Sequence, residues 1–203
     1  MARPSILAAY NKSMSDLAIV ERYLQKSKHL PPEMYGFVAE VLMLRIFSIL
    51  ESSVREISTR IACGVPYKNG VASTPMIKST SIQDAINKFK CEGRRNSLQN
   101  LKFTNVSGIN YTIKYVIDSS EPFRVNLSKY GVQFEEMRKV RNHIAHRYKN
   151  TYTDYKDIIK SRYGAYIKLK PSVFLTSTKR QPRAIIDEYL ITVRVIINDI
   201  TDG

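Results

Sequence analysis

Between residues 32 and about 62, Phe37, Val41, Leu44, Phe47, Ser48, Glu51, Val54 and Ile57 recur at helical spacing. A series this long can be satisfied only by a long helix with one face packed into a core. Glu40 and Arg45 interrupt its most apolar part, so it reads as a buried core helix and not as a membrane span. Pro32 suits the first helical position, Glu33 complements the dipole there, and Gly64 and Pro66 end the run.

The same periodicity returns elsewhere. Leu7, Tyr10, Met14, Leu17, Val20 and Leu24 predict a first helix over residues 5–28, broken by Leu30-Pro31-Pro32. Ile186, Tyr189, Leu190, Val193, Ile197 and Ile200 predict a last one over 182 to about 201. Shorter helices are predicted from 81 through 90, near 109–117, and over 151–163, with another at 132–148. Ile109 to Ile117 carries strand-forming residues, but a lone strand has no partner in an otherwise helical chain. The expected fold is all-α: one domain of four to five main helices spanning 1–203. An insertion or connector region covers 64–131, and 164–181 is irregular, with a short extended piece at Tyr166-Ile167-Lys168-Leu169-Lys170.

Thirty-two Lys and Arg against eighteen Asp and Glu give a net charge of +14. That excess favours polyanionic partners, nucleic acid first. The basic residues are scattered, with small clusters at Lys88-Phe89-Lys90, Arg94-Arg95, Arg138-Lys139-Arg141 and Lys179-Arg180. No clear helix-turn-helix accompanies them, which argues against a DNA-binding regulator. Met1-Ala2-Arg3-Pro4 is followed by no secretory apolar stretch, and Cys63 and Cys91 lack metal-like spacing. The expectation is a cytoplasmic protein with reduced thiols, no membrane attachment and no cofactor.

Chemistry concentrates in Arg141-Asn142-His143-Ile144-Ala145-His146-Arg147-Tyr148. At about a hundred degrees per residue, Phe134, Met137, Val140, Ile144 and Tyr148 form the core stripe of this helix. Asn142 and His146 share an outward face with Arg138 at its rim, and His143 lies between His146 and the stripe. Arg141 and His146 diverge by roughly 140 degrees on an ideal helix, so two copies would bring these groups together more readily than one. Histidine is the side chain that titrates near neutrality and can move the proton of a 2′-hydroxyl or of a leaving 5′-oxygen. A guanidinium can hold phosphate oxygens as their charge builds, and an amide can orient either group. No cluster of acidic ligands is present, which disfavours a two-metal mechanism. A histidine or arginine at a helix C-terminus is also favourable for its dipole alone, and His143-x-x-His146 could seat a metal only with ligands from elsewhere.

Arg141-Asn142-His143-Ile144-Ala145-His146 resembles the R-x4-6-H signature of the HEPN superfamily. With Tyr148 it is similar to the R-x4-H-x-Y form of HEPN toxins paired with nucleotidyltransferase antitoxins. The preceding Phe134-Glu135-Glu136-Met137-Arg138-Lys139-Val140 and the segment Ile49-Leu50-Glu51-Ser52-Ser53-Val54-Arg55 extend the resemblance. It implies a helical bundle that dimerises with its two motifs together, and a metal-independent endoribonuclease that uses the RNA 2′-hydroxyl and leaves a cyclic phosphate. It implies Arg141, His146 and Asn142 as the catalytic set, with Tyr148, His143 and Glu51 in supporting or regulatory places. Arg138, Lys139 and Arg147 are the expected RNA contacts. Expected partners are RNA, a second copy, and an antitoxin or other regulatory protein. The region 64–131 is longer than in minimal HEPN toxins, so a larger-insert phage-defence or stress effector fits about as well. The other reading is a non-catalytic HEPN module that binds RNA or protein.

Overall fold

The computed structural model describes residues 5–179 and 182–203. Met1-Ala2-Arg3-Pro4, and with Arg180 half of the Lys179-Arg180 cluster, lie outside that description. The described residues form nine helices and no strand. They are α1 (Ile6–Ser27), α2 (Pro32–Ala62), α3 (Ile82–Cys91), α4 (Val106–Ile113), α5 (Pro122–Ser128), α6 (Gly131–His146), α7 (Lys149–Tyr163), α8 (Pro171–Thr176) and α9 (Ile185–Asp202). The all-α expectation holds. No described helix is long and apolar enough to cross a membrane.

Two segments depart from expectation. Residues 122–131, read as a connector, contain α5, and the irregular 164–181 contains α8. Each starts on a proline at the first helical position, where the absent N–H costs nothing. Phe123 and Leu127 of α5, and Phe174 and Leu175 of α8, are buried. Tyr166 to Lys170 forms no strand.

The chain divides into two compact units. The first comprises the stretch ending at Met14, Leu50–Gly131 and Val195–Gly203, and so takes in the whole 64–131 region. Ser81 caps α3 by accepting the Asp84 N–H, while Asp84 accepts from the Thr80 N–H. Asn105 caps α4 through the Gly108 N–H. The Gly- and Pro-rich loop after α2 is held by the buried carboxylate of Glu121. That group accepts from the Tyr67 hydroxyl at 2.8 Å and from the N–H and hydroxyl of Thr74 at 3.2 and 2.9 Å. The Tyr67 oxygen accepts in turn from the Phe123 N–H. Burial pushes the Tyr67 phenol far up, so it stays a donor.

The second unit comprises Ser15–Ile49 and Val132–Arg194 and carries the motif. Phe47 of α2 meets Phe134 of α6 edge-on, their ring centroids 5.6 Å apart. Each buried phenylalanine contributes about 1.5–3 kcal/mol over its exposed state. Phe174 of α8 receives Tyr155 and Tyr163 of α7 in the same edge-on manner. Gly164 closes α7 in the left-handed conformation, its N–H donating to the Lys160 carbonyl.

Candidate active site on the motif helix

Helix α6 buries Phe134, Met137, Val140 and Ile144, as their spacing predicts. The stripe stops two residues early. Arg147 takes a positive φ of 54° while its N–H still donates to the His143 carbonyl. This left-handed turn ends the helix at His146, so Tyr148 leaves the stripe and opens α7 as its N-cap residue. Tyr148 is 70% exposed, which corrects its placement on the core stripe. A non-glycine residue in this conformation costs about 1–2 kcal/mol and needs support. Arg147 has it: its guanidinium donates to the Glu40 carboxylate on α2 at 2.5 Å, across 107 residues of sequence. Nothing in the sequence spacing pointed to Glu40.

Arg141 is half-buried. Its guanidinium carbon lies 5.8 Å from the Phe47 ring centroid, and Nη1 donates to Asn142 Oδ1 at 3.0 Å. Its other N–H groups make no hydrogen bond among the described residues and so stay uncommitted. His146 is exposed and lies nearly parallel to Tyr148, 10° between planes and 6.0 Å between centroids. The arrangement offers an anchored guanidinium, an amide bound to it, and an imidazole open to solvent at the end of the same helix.

His143 goes the other way. It is 7% exposed and stacks on Tyr155 at 4.8 Å, with Tyr152 at 5.5 Å and the Thr151 hydroxyl 3.4 Å from Nδ1. His143 and His146, spaced like a metal-binding pair, thus point into different surroundings. Burial, with the Arg147 charge second, holds the His143 imidazole below its ordinary value. The unfolded chain therefore binds this proton first as pH falls below about 6.5, and stability is lost through that window down to the folded value. Above it the group is neutral in both states and contributes nothing. Acidification from about pH 7.5 to 5 should lower the Tm of the wild type more than that of His143→Gln. Equal drops in differential scanning fluorimetry would contradict this.

The expected RNA contacts are unevenly available. Arg138 forms a two-point pair with Glu135 at 2.8 and 2.5 Å, and Arg147 is engaged by Glu40. Half-buried Lys139 makes no ion pair among the described residues. Glu51 is half-buried on α2, in the first unit. Two open clefts of the second unit, of about 370 and 290 Å³, share Lys28, Arg183 and Asp187 and include no motif residue. In the sequence Arg94 stands in a small basic cluster, and Tyr111, Lys114 and Tyr115 stand in the short helix expected near 109–117; the signal for more was aromatic residues four apart beside basic ones. No family model, curated protein or solved structure matches this chain.

Proposed function

We propose that this chain is a metal-independent endoribonuclease of the HEPN type, acting as a homodimer in toxin, defence or stress-effector fashion. The observation that carries the reading is the solvent-facing end of α6. There Arg141 keeps N–H groups uncommitted, bonded to Asn142, and His146 stands exposed. The unusual backbone at Arg147, directly after His146, adds support, because strain of this kind gathers at functional sites. The net charge of +14 suits an RNA substrate.

In this reading the RNA 2′-oxygen attacks phosphorus, the P–O5′ bond breaks, and a 2′,3′-cyclic phosphate and a 5′-hydroxyl result. His146 moves one of the two protons involved. Arg141 holds the non-bridging oxygens as charge builds on them, and Asn142 fixes the guanidinium. A second copy supplies the partner arginine and histidine. Tyr148, stacked beside His146, is where a regulatory partner would act on the site.

The test is cleavage of a generic RNA in EDTA, beside the same strand with deoxyribose throughout. Cutting of the RNA alone, with cyclic-phosphate ends, is the expected result. An intact RNA at micromolar protein, or equal cutting of both strands, would refute the proposal and leave the non-catalytic binding module.

A further inference from the structure

Tyr111 and Tyr115 stand four residues apart at the end of α4 and are 46% and 37% exposed. Neither hydroxyl makes a hydrogen bond to the protein among the described residues. Two cations attend both rings. The Arg94 guanidinium carbon lies 4.7 Å from the Tyr111 centroid and 5.2 Å from that of Tyr115. Lys114 Nζ lies 5.1 and 4.6 Å from the same two. Arg94 is tethered: Nη2 donates to the carbonyls of Tyr111 and Thr112 at 2.5 and 3.0 Å, filling acceptors that a helix end leaves open. Gly93, at φ +60°, brings its backbone against the Tyr115 ring; a Cβ there would lie 2.7 Å from ring carbons. Lys114 meets no carboxylate among the described residues. From 88 to 117 the chain carries Lys88, Lys90, Arg94, Arg95, Lys102 and Lys114 against Glu92 alone.

Capping α4 would explain Arg94. It does not explain two exposed rings with hydroxyls unused and a second cation without a counter-ion. Part-exposed aromatic rings beside positive charge suit unpaired bases and their phosphates: the base stacks and the cation neutralises the backbone. An acidic peptide would use the cations and leave the rings idle. A duplex hides its base faces.

We propose that Tyr111, Tyr115, Arg94 and Lys114 form a platform that binds single-stranded nucleic acid, RNA being the expected strand. None of its residues belongs to the motif helix, so the proposal stands whether or not the motif cuts RNA.

The experiment is fluorescence anisotropy with a labelled single-stranded 2′-O-methyl oligoadenylate of about 12 nucleotides, within the usual reach of such surfaces. This probe has no free 2′-hydroxyl, so cleavage does not enter. Tyr111→Ala/Tyr115→Ala should weaken binding by about tenfold or more, as expected for lost stacking, with Tm retained. The double phenylalanine variant keeps the ring faces and should bind like the wild type. Lys114→Gln should flatten the salt dependence by about 0.7 in log–log slope. Unchanged affinity in the double alanine variant would overturn the platform. So would equal competition by a duplex of the same length, or tyrosine-dependent capture by phosphatidylserine vesicles in place of the oligonucleotide.

Discussion

His146→Ala should lower RNA cutting by about 10²–10⁴-fold, the usual contribution of a positioned acid or base, with little change in stability. The ring is exposed and its ring partner among the described residues, Tyr148, is exposed too. Surface changes of this sort generally stay within about 0.5 kcal/mol, so lost activity cannot be ascribed to lost fold. Arg141→Ala should cost about 10²–10³-fold through unbalanced transition-state charge. It also gives up the contact with Phe47, about 0.5–1 kcal/mol, and so should melt slightly earlier. Arg141→Lys should not restore cutting, because an ammonium cannot grip Asn142 and a phosphate together in the planar fork of arginine. Groups acting on one transition state are not additive, so the double alanine variant should be little worse than the poorer single one. Measurement needs only the rate of RNA cutting in EDTA and a thermal melt of each variant. Wild-type cutting by His146→Ala would assign the activity to another protein in the preparation.

The fold was readable wherever periodicity ran for several turns. The series from Phe37 to Ile57 gave α2 with the bounds that Pro32 and Gly64 mark, but not its buried face: Phe37, Val41 and Ser48 are exposed, while Leu42, Met43, Ile46 and Leu50, one position off the series, are buried. It failed where an element was too short to show a period. Helix α5 has seven residues and α8 six, and each offers one buried pair, Phe123 with Leu127 or Phe174 with Leu175. There the proline at the helix start was the signal to weigh. Helix α9 starts at Ile185, three residues past Pro182, because a proline does not by itself say that a helix begins. Within the motif, residue types were readable but directions were only partly so. His146 lies outward as the helical wheel predicts, Asn142 is only half-buried, and His143 proved more buried than its flank position implied. Tyr148 could not be placed, because the turn at Arg147 depends on Glu40, which sequence distance conceals. Charge likewise favoured a polyanionic partner as an expectation, but could not say which cations were already engaged by Glu135 and Glu40.

Arg162→Ala should destabilise the protein by about 3 kcal/mol, the low end for breaking a buried ion pair. Nε and Nη2 of Arg162 donate to one oxygen of Glu136 at 3.0 and 2.7 Å, and Nη1 donates to Glu188 at 2.7 Å. The Tyr189 hydroxyl, itself buried, donates to the same Glu136 oxygen at 2.7 Å. The three charged side chains keep only 16–22% of their surface exposed, so water replaces little of what is lost. Deleting the guanidinium leaves two carboxylates facing each other without a counter-charge, which is worse than losing the contacts alone. Removing Glu136 as well should therefore cost less than the two single changes summed. In urea denaturation the midpoint should fall with the slope unchanged. A loss below about 1 kcal/mol would mean that the cluster behaves as an ordinary surface pair. The consequence reaches the motif, because Glu136 sits on α6 five residues before Arg141 and its bonds tie that helix to α7 and α9. The rotation of α6 about its axis, which decides that His146 faces solvent while Val140 and Ile144 do not, is held by this cluster on one side and by Phe47 against Phe134 on the other.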